Sequence, residues 1–255
     1  MTRPALILIH GWGTGSSCWQ SVQTCLDQHN FALPIHCYDL PGYGKNPQSL
    51  LGFSATAEHM LSFLPSTAIL CGWSLGSLVA LQAALLAPSR IRGLILVSTT
   101  PSFTERDNWP HGKDPELLDV FTQGVEQNPL SALQRFNSLA NQGDTEARKI
   151  IRQLNQSLKD HPLPDKAVLL LGLAWLRDVD FRHDIDKINV PIHLIHGEKD
   201  PLMPLSAAKW LNKKRHCPPN NLSFDIFHGA AHTPFLNDPP RFAARVVNCC
   251  HELSN

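Results

Sequence analysis

Residues 68–86 read AILCGWSLGSLVALQAALL, and the fold can be inferred outward from this stretch. The apolar residues 69–71 are typical of the end of a buried strand. Residues 75–86 carry apolar side chains at helical spacing, interrupted by Ser77 and Gln82. Ser74 is therefore predicted to lie in the turn between a strand and a helix.

Glycines lie two residues before and two residues after this serine, at Gly72 and Gly76. They remove the Cβ atoms that would clash in a sharp turn, so G-x-S-x-G in this context predicts a nucleophile elbow that exposes Ser74 Oγ. The N-terminus of the following helix favours negative charge beside the serine. The alternative interpretation is a glycine-rich turn that holds an inert serine.

Strands and helices alternate on both sides of this turn. Strands are predicted at residues 5–9, 34–38, 91–97, 191–197 and 222–227, and helices at residues 17–26, 54–64 and 239–253. Ser54 is the predicted N-cap of its helix. Such alternation is typical of an α/β fold with a mostly parallel central sheet flanked by helices. Ligands in such sheets bind beyond the carboxyl ends of the strands.

The alternation stops between Thr99 and Arg182. Four helices are predicted there, at residues 115–126, 129–140, 145–159 and 165–175. We expect this insertion after the fourth visible strand to form a helical cap over the site. The predicted boundaries are residues 1–100 and 183–255 for the core and residues 101–182 for the cap, within one structural domain.

Two acidic residues follow the strand predicted at residues 191–197. An acid in such a turn, after the serine in sequence, suits the acidic member of a Ser, Asp, His series. Asp200 is the predicted acid, and Glu198 is its competitor. An ordinary Asp-Pro turn is the alternative, because aspartate is a common turn residue.

His232, in the loop after the last predicted strand, is the predicted general base. The chain has 13 histidines, so position counts for more than residue type. His228 and His232 also have the spacing of a helical metal pair, but Gly229 and the preceding strand argue against a helix. With no third ligand close by in the sequence, we predict no metal site.

The first predicted strand ends at His10-Gly11-Trp12-Gly13. In a serine hydrolase a loop of this kind turns a backbone N–H toward the reaction centre. The N–H groups of Trp12 and of Leu75, the residue after the nucleophile, are therefore the predicted oxyanion donors. The alternative is that the loop is only a tight exit from the strand.

The composition indicates one domain without a nucleic-acid or membrane partner. The chain has 255 residues, within reach of a single core, and 22 basic residues balance 22 acidic ones without a long basic run. The first apolar run follows Met1 too closely for a cleaved signal peptide. Seven cysteines, an odd number, suit a reducing compartment. We therefore expect a cytoplasmic protein.

Ser74, Asp200 and His232, each predicted at a strand end and in this chain order, resemble the α/β-hydrolase superfamily. The resemblance covers nearly the whole chain and implies an α/β-hydrolase fold. The sequence departs from the family pattern at its amino-terminal end. The family usually has an antiparallel pair of strands ahead of the HG loop, which here begins at His10. The edge hairpin is thus expected to be missing or replaced.

A closer resemblance is to the pimeloyl-acyl-carrier-protein methyl ester esterases of biotin synthesis. The matching segments are HGWG, GWSLG, GAAHTPF and the sequence of residues 99–112. This resemblance implies a serine carboxylesterase that releases methanol from the methyl ester of pimeloyl-acyl-carrier protein. The side-chain chemistry of the triad needs no metal or organic cofactor, and we expect a monomer. The resemblance also implies that cap arginines bind the carrier protein, and Arg135, Arg148 and Arg152 fall in the similar motif QRF…EARKIIR.

Other interpretations stay open. The arginines can be an ordinary solvated surface, although Arg148 and Arg152 share one helix face. The enzyme can be a general short-chain carboxylesterase or thioesterase with the same triad. A non-enzymatic alternative is a module that binds a ligand or a carrier protein and keeps a vestigial triad. Under the preferred hypothesis, the apolar run at residues 167–176 lines a site for the acyl chain.

Overall fold

The computed structural model describes residues 3–29, 31–47, 50–214 and 223–254. Within these residues six strands form one sheet, and every neighbouring pair is parallel. The strands are β1 (Ala5–Ile9), β2 (Ile35–Tyr38), β3 (Ala68–Trp73), β4 (Ile91–Val97), β5 (Ile192–Gly197) and β6 (Phe224–Phe227). Their order in the sheet is β2-β1-β3-β4-β5-β6.

The strand order places a crevice at the carboxyl end of the sheet. The chain moves from β1 outward to β2 and then returns to the other side of β1 with β3, so the order reverses between β1 and β3. Ligands of doubly wound sheets bind at this switch point. The loop after β1 and the turn at Ser74 both lie there. In the described part of the chain no strand precedes β1, and the short β2 forms one edge.

Ten α-helices lie within the described residues. They are α1 (Gln20–Gln28), α2 (Phe53–Phe63), α3 (Leu75–Leu86), α4 (Glu116–Gln127), α5 (Pro129–Ala140), α6 (Ala147–Asp160), α7 (Lys166–Asp178), α8 (Leu205–Lys214), α9 (Pro234–Asn237) and α10 (Pro239–Ser254). Short 3-10 helices span Ser16–Trp19, Pro88–Arg90 and Ile185–Lys187.

Alternate side chains of the strands enter two different hydrophobic clusters. Leu6 and Leu8 of β1 pack in one cluster with residues of α1 and α10. Ile7 and Ile9 pack in the other with residues of α2, α3 and the insertion. Because successive side chains of a strand point to opposite faces, the sheet is buried on both sides.

The insertion between β4 and β5 is helical, as predicted, and consists of α4 to α7. An isolated antiparallel bridge between Ser102 and Asp180 joins its two ends. Its inward side chains, among them Leu133 and Leu169, belong to the same cluster as β1 and α3. A Cβ atom added at Gly172 of α7 would lie 2.6 Å from Cδ1 of Trp12, so the helix and the loop after β1 are in close contact. The division into core and cap at residues 101–182 stays a prediction.

The prediction that Ser54 caps α2 is wrong. The helix begins at Phe53, its N-cap is Gly52, and no side chain provides a cap bond. Ser54 lies in the first turn and donates weakly to Glu58 at 3.4 Å. The predicted strand start at Leu222 lies outside the described residues, and β6 begins at Phe224. No helix in the described ranges is long and apolar enough to cross a membrane.

Candidate active site

Ser74 lies in a strained turn between β3 and α3, with φ 54° and ψ −120°. Such a backbone is rarely adopted by residues with a side chain and costs on the order of 1–3 kcal/mol. The flanking glycines make the turn possible. A Cβ atom at Gly72 would lie 2.4 Å from the carbonyl oxygen of Gly76, and one at Gly76 would lie 2.5 Å from that of His10. The turn therefore fixes where the Ser74 side chain begins.

The structure brings Ser74, His232 and Asp200 into one hydrogen-bonded series. His232 Nε2 lies 2.9 Å from Ser74 Oγ, and its Nδ1 lies 2.8 Å from Asp200 Oδ2. Because an ionised carboxylate only accepts, Nδ1 carries the proton and Nε2 is free to accept one from the serine. All three residues are buried, with His232 fully so and Ser74 4% exposed.

The carboxyl group of Asp200 is held by its own turn. The backbone N–H groups of Leu202 and Met203 each donate to Oδ1 at 2.9 Å. Burial alone would raise the pKa of Asp200, but the electrostatic interaction and hydrogen bond with His232, the nearby His196 and the Met203 N–H outweigh it. The pKa of Asp200 is therefore lowered, and the group is a carboxylate at neutral pH.

Glu198, the competing acid, faces another histidine. Its Oε2 accepts from the Gly229 N–H at 3.1 Å, and its Oε1 lies 3.2 Å from Nδ1 of His228. The pKa of Glu198 is lowered by the Gly229 N–H and then by His228. The two acids of this turn thus bind different residues of the His232 loop, and Asp200 is the one that reaches the imidazole.

The predicted oxyanion donors lie at the ends of β1 and β3. Trp12 follows β1, and Leu75 is the first residue of α3. In the described parts of the chain, no acceptor is found for the backbone N–H of either residue. The Trp12 side chain is fixed by the cap, because its Nε1 donates to the Leu169 carbonyl of α7 at 2.9 Å.

His10 shapes the loop that carries Trp12. Its Nδ1 lies 2.7 Å from the Gly11 carbonyl oxygen, and the Leu40 N–H donates to its Nε2 at 3.0 Å. The proton is therefore on Nδ1. Burial lowers the pKa of His10, so the ring is neutral and bridges the turns after β1 and β2.

The three predicted carrier-binding arginines are exposed on neighbouring cap helices. Arg135 lies on α5, and Arg148 and Arg152 lie on α6. None of their side chains makes a hydrogen bond or an ion pair with another described residue. Their guanidinium groups are thus available to a partner. They do not bind directly to the buried Ser74–His232–Asp200 series.

A cleft of about 820 Å³ lies beside β2, away from the buried serine. Its lining includes Thr14, Asp39, Lys45 and His161, and none of the lining residues belongs to α7. The apolar run predicted to line an acyl site is instead packed inward at Leu169 and Leu173, in one cluster with Trp12. In this conformation the cap helix covers the site, and the lining role of residues 167–176 stays a prediction.

Two features of the site are not marked by any pattern in the sequence. The Trp73 side chain donates from Nε1 to the His232 carbonyl at 2.8 Å. Asp144, in the turn between α5 and α6, accepts from the Ala231 N–H at 2.6 Å. Both contacts join segments that are distant in the chain, so residue spacing gives no signal for them.

A buried Ser–His–Asp series at the carboxyl ends of a parallel sheet is the arrangement of serine hydrolases that use an α/β scaffold. The chain belongs to the alpha/beta hydrolase family, whose model matches residues 6–245. This membership confirms the fold class predicted from the sequence.

Several curated relatives, among them proteins from Yersinia enterocolitica and Pseudoalteromonas atlantica, carry the name pimeloyl-[acyl-carrier protein] methyl ester esterase. The one from Yersinia enterocolitica is 38% identical over 95% of this chain and 92% of its own length. The one from Pseudoalteromonas atlantica is 35% identical over 94% and 91%. The closer resemblance read from the motifs is therefore confirmed.

Solved structures show the same fold. An esterase from Exiguobacterium antarcticum superposes with a TM-score of 0.83, at 22% identity, over 97% of this chain and 92% of that chain. At this level of identity the likeness concerns the fold alone.

Proposed function

We propose that the chain is a serine carboxylesterase that hydrolyses the methyl ester of pimeloyl-acyl-carrier protein to methanol and the free acid. The observation that carries the proposal is the continuous Ser74–His232–Asp200 series, found in a chain 38% identical to a relative of that name over 95% of its length. A strained serine beside a correctly oriented histidine favours an enzyme over a binding module.

Acylation uses the three buried side chains in turn. Ser74 Oγ attacks the ester carbonyl carbon while His232 Nε2 takes the serine proton. Asp200 holds the ring by Nδ1 and offsets the charge of the imidazolium. The negative charge on the carbonyl oxygen is received by the N–H groups of Trp12 and Leu75, and loss of one such donor typically costs about 10²–10³-fold in kcat.

Acylation ends when His232 gives its proton to the departing methoxide, and methanol leaves an acyl-serine. Deacylation uses the same groups with water as the nucleophile. Water then loses a proton to His232 Nε2 and attacks the acyl carbon, and the histidine returns that proton to Ser74 Oγ. Every step uses side chains and backbone N–H groups, so the proposed reaction needs no metal or organic cofactor.

The cap supplies the proposed recognition of substrate. Arg135, Arg148 and Arg152 carry positive charge on exposed faces without partners among the described residues, which suits an acidic carrier protein and its phosphopantetheine phosphate. The apolar side of α7 suits a methylene chain. We include in the proposal that residues 101–182 act as this cap and that the enzyme works as a cytoplasmic monomer.

Genetic complementation tests the proposed function in cells. The gene is expected to restore growth without biotin to bacteria that lack their own esterase for this step, and the Ser74→Ala gene is expected not to. Growth supported equally by both genes would contradict the proposal. Failure of both genes, with the wild-type protein rapidly hydrolysing small esters, would favour the general short-chain esterase.

A further inference from the structure

The loop that carries His232 is held by the cap as well as by the core. The His232 N–H donates to the carbonyl oxygen of Ala140, the last residue of α5, at 3.1 Å. Thr233 Oγ1 donates to Asn141 Oδ1 at 2.5 Å, and the Thr145 N–H donates to the Gly229 carbonyl at 3.0 Å. The turn between α5 and α6 is therefore hydrogen-bonded to this loop at several points, from Gly229 to Thr233.

Asp144 is the buried charged group of that turn. It is 7% exposed, and both of its carboxylate oxygens are used. Oδ2 accepts from the Ala231 N–H at 2.6 Å, while Oδ1 accepts from the Glu146 N–H and from Asn237 Nδ2, each at 2.7 Å. Hydrogen bonds to an ionised acceptor are roughly twice as strong as neutral ones. Asp144 thus joins the start of α6, the residue before His232 and the end of α9.

The position of this loop decides whether the imidazole can act. His232 must keep Nδ1 at Asp200 and Nε2 at Ser74, and the two contacts are 2.8 and 2.9 Å long. Since Ala231 is the residue before His232, a shift of its N–H moves the ring against both partners. A misplacement of about 1 Å can cost on the order of 10²-fold in rate.

We infer that Asp144 is a positioning residue, through which the cap holds the His232 loop in its reactive place. The inference rests on the proposed role of His232 as general base. Asp144 makes no contact with Ser74, so it acts through the loop and not on the reacting atoms. The same turn connects α5 and α6, the helices that carry the proposed carrier-binding arginines. One short segment therefore links the helices of these arginines to the loop that carries the proposed base.

The substitution Asp144→Asn tests this role with little change in shape. The amide oxygen is expected at the Oδ1 position, where the Glu146 N–H and Asn237 Nδ2 both donate, so the amide nitrogen faces the Ala231 N–H and cannot accept from it. We expect kcat for a small chromogenic ester to fall about tenfold to a hundredfold while KM stays within about twofold. The rate at which a fluorophosphonate labels Ser74 is expected to fall in parallel, because it also needs the base.

Glu146→Gln is the matched control. Glu146 is exposed, two residues away, and loses the same charge in an equally conservative change. It is expected to leave kcat, KM and the labelling rate at wild-type values. An equal loss in both variants would overturn the inference, because the effect would then follow from net charge in the cap.

A folded Asp144→Asn protein, judged by its thermal unfolding, with kcat within about twofold of wild type would also overturn it. If this variant unfolds at the assay temperature, Asn237→Ala decides, since it removes one donor from Asp144 Oδ1. A smaller fall in kcat at unchanged KM supports the inference, and an unchanged kcat contradicts it. The assays use no carrier protein, so failure here is distinct from failure of the proposed substrate. Full activity of His232→Ala would instead show that the proposed base is wrong.

Discussion

The indole Nε1 of Trp73 donates a 2.8 Å hydrogen bond to the backbone carbonyl of His232. Trp73 is the residue directly before Ser74, so the chain that fixes the serine also holds the backbone of the proposed base. The ring centroids of Trp73 and His232 lie 5.6 Å apart, and the Trp73 indole packs edge-on against Phe235. The distance between nucleophile and base is therefore set within the core of the fold.

Trp73→Phe keeps an aromatic ring but removes this donor. We expect kcat for a small ester to fall about tenfold, because an unsatisfied buried carbonyl costs about 1–3 kcal/mol and the loop can relax to reduce that cost. The control is Trp109→Phe, which removes an indole bond to the Ser102 carbonyl elsewhere. Steady-state kinetics of both variants check this, and an unchanged kcat in Trp73→Phe would count against the role of the bond.

The two acids of the β5 turn are separated by a pair of conservative substitutions. Asp200→Asn is expected to lower kcat by about four orders of magnitude, because an amide can stabilise the wrong tautomer of His232. Glu198→Gln is expected to have a small effect, since its partners are Gly229 and His228. Hydrolysis of a small ester measures both. A greater loss for Glu198→Gln would show that the acid is wrongly assigned.

The cap arginines are expected to act on the carrier protein and not on the chemistry. Arg148→Ala combined with Arg152→Ala should lower kcat/KM for a carrier-bound ester, more strongly at low salt, and leave a small soluble ester unaffected. The matched control is Arg3→Ala with Arg92→Ala. These residues lie at the amino ends of β1 and β4, away from Ser74, and are exposed. Equal losses on both substrates would mean that the cap arginines support the fold.

His196 makes stability depend on pH. Burial lowers its pKa, although the Asp200 carboxylate 3.7 Å away opposes this effect. Below about pH 6.5 the unfolded chain binds a proton at this histidine and the folded chain does not, so stability rises with pH there. Acidification from about pH 7 to about pH 5.5 should therefore lower the free energy of unfolding, by at most about 1.4 kcal/mol per pH unit for this group.

The variant His196→Gln isolates that contribution. It removes the titrating ring and keeps an N–H donor for the Met203 carbonyl, to which His196 Nε2 bonds at 2.7 Å. Urea unfolding of the variant should show a shallower decline with acidification than the wild type. Identical slopes in the two proteins would contradict the assigned cause.

Much of the scaffold follows from local pattern. The strand–turn–helix around Ser74 is predictable because its glycines, apolar run and helical spacing lie within residues 68–86. The bounds that the sequence predicts for the cap helix α5 agree with the structure, Pro129–Ala140. These elements depend on side chains close in sequence, where propensity and periodicity act.

The remaining features depend on segments that meet only in the folded chain. Trp73 and His232 are 159 residues apart, and Asp144 and Ala231 are 87 apart. Hydrogen bonds between such residues follow from the tertiary packing of distant segments and leave no periodic trace. The wrong N-cap has a local reason, because Gly52 in an extended conformation begins α2 where a polar side chain was expected.

The most direct test follows the intact mass of a carrier protein that bears the pimeloyl methyl ester. On incubation with the purified enzyme, the carrier should lose the mass of one methylene group as the ester becomes an acid. With Ser74→Ala the rate should fall by about a million-fold, so no conversion should be seen. Conversion by Ser74→Ala at even about a tenth of the wild-type rate would contradict the account. So would an unchanged carrier mass with a wild-type enzyme whose Ser74 still reacts with a fluorophosphonate.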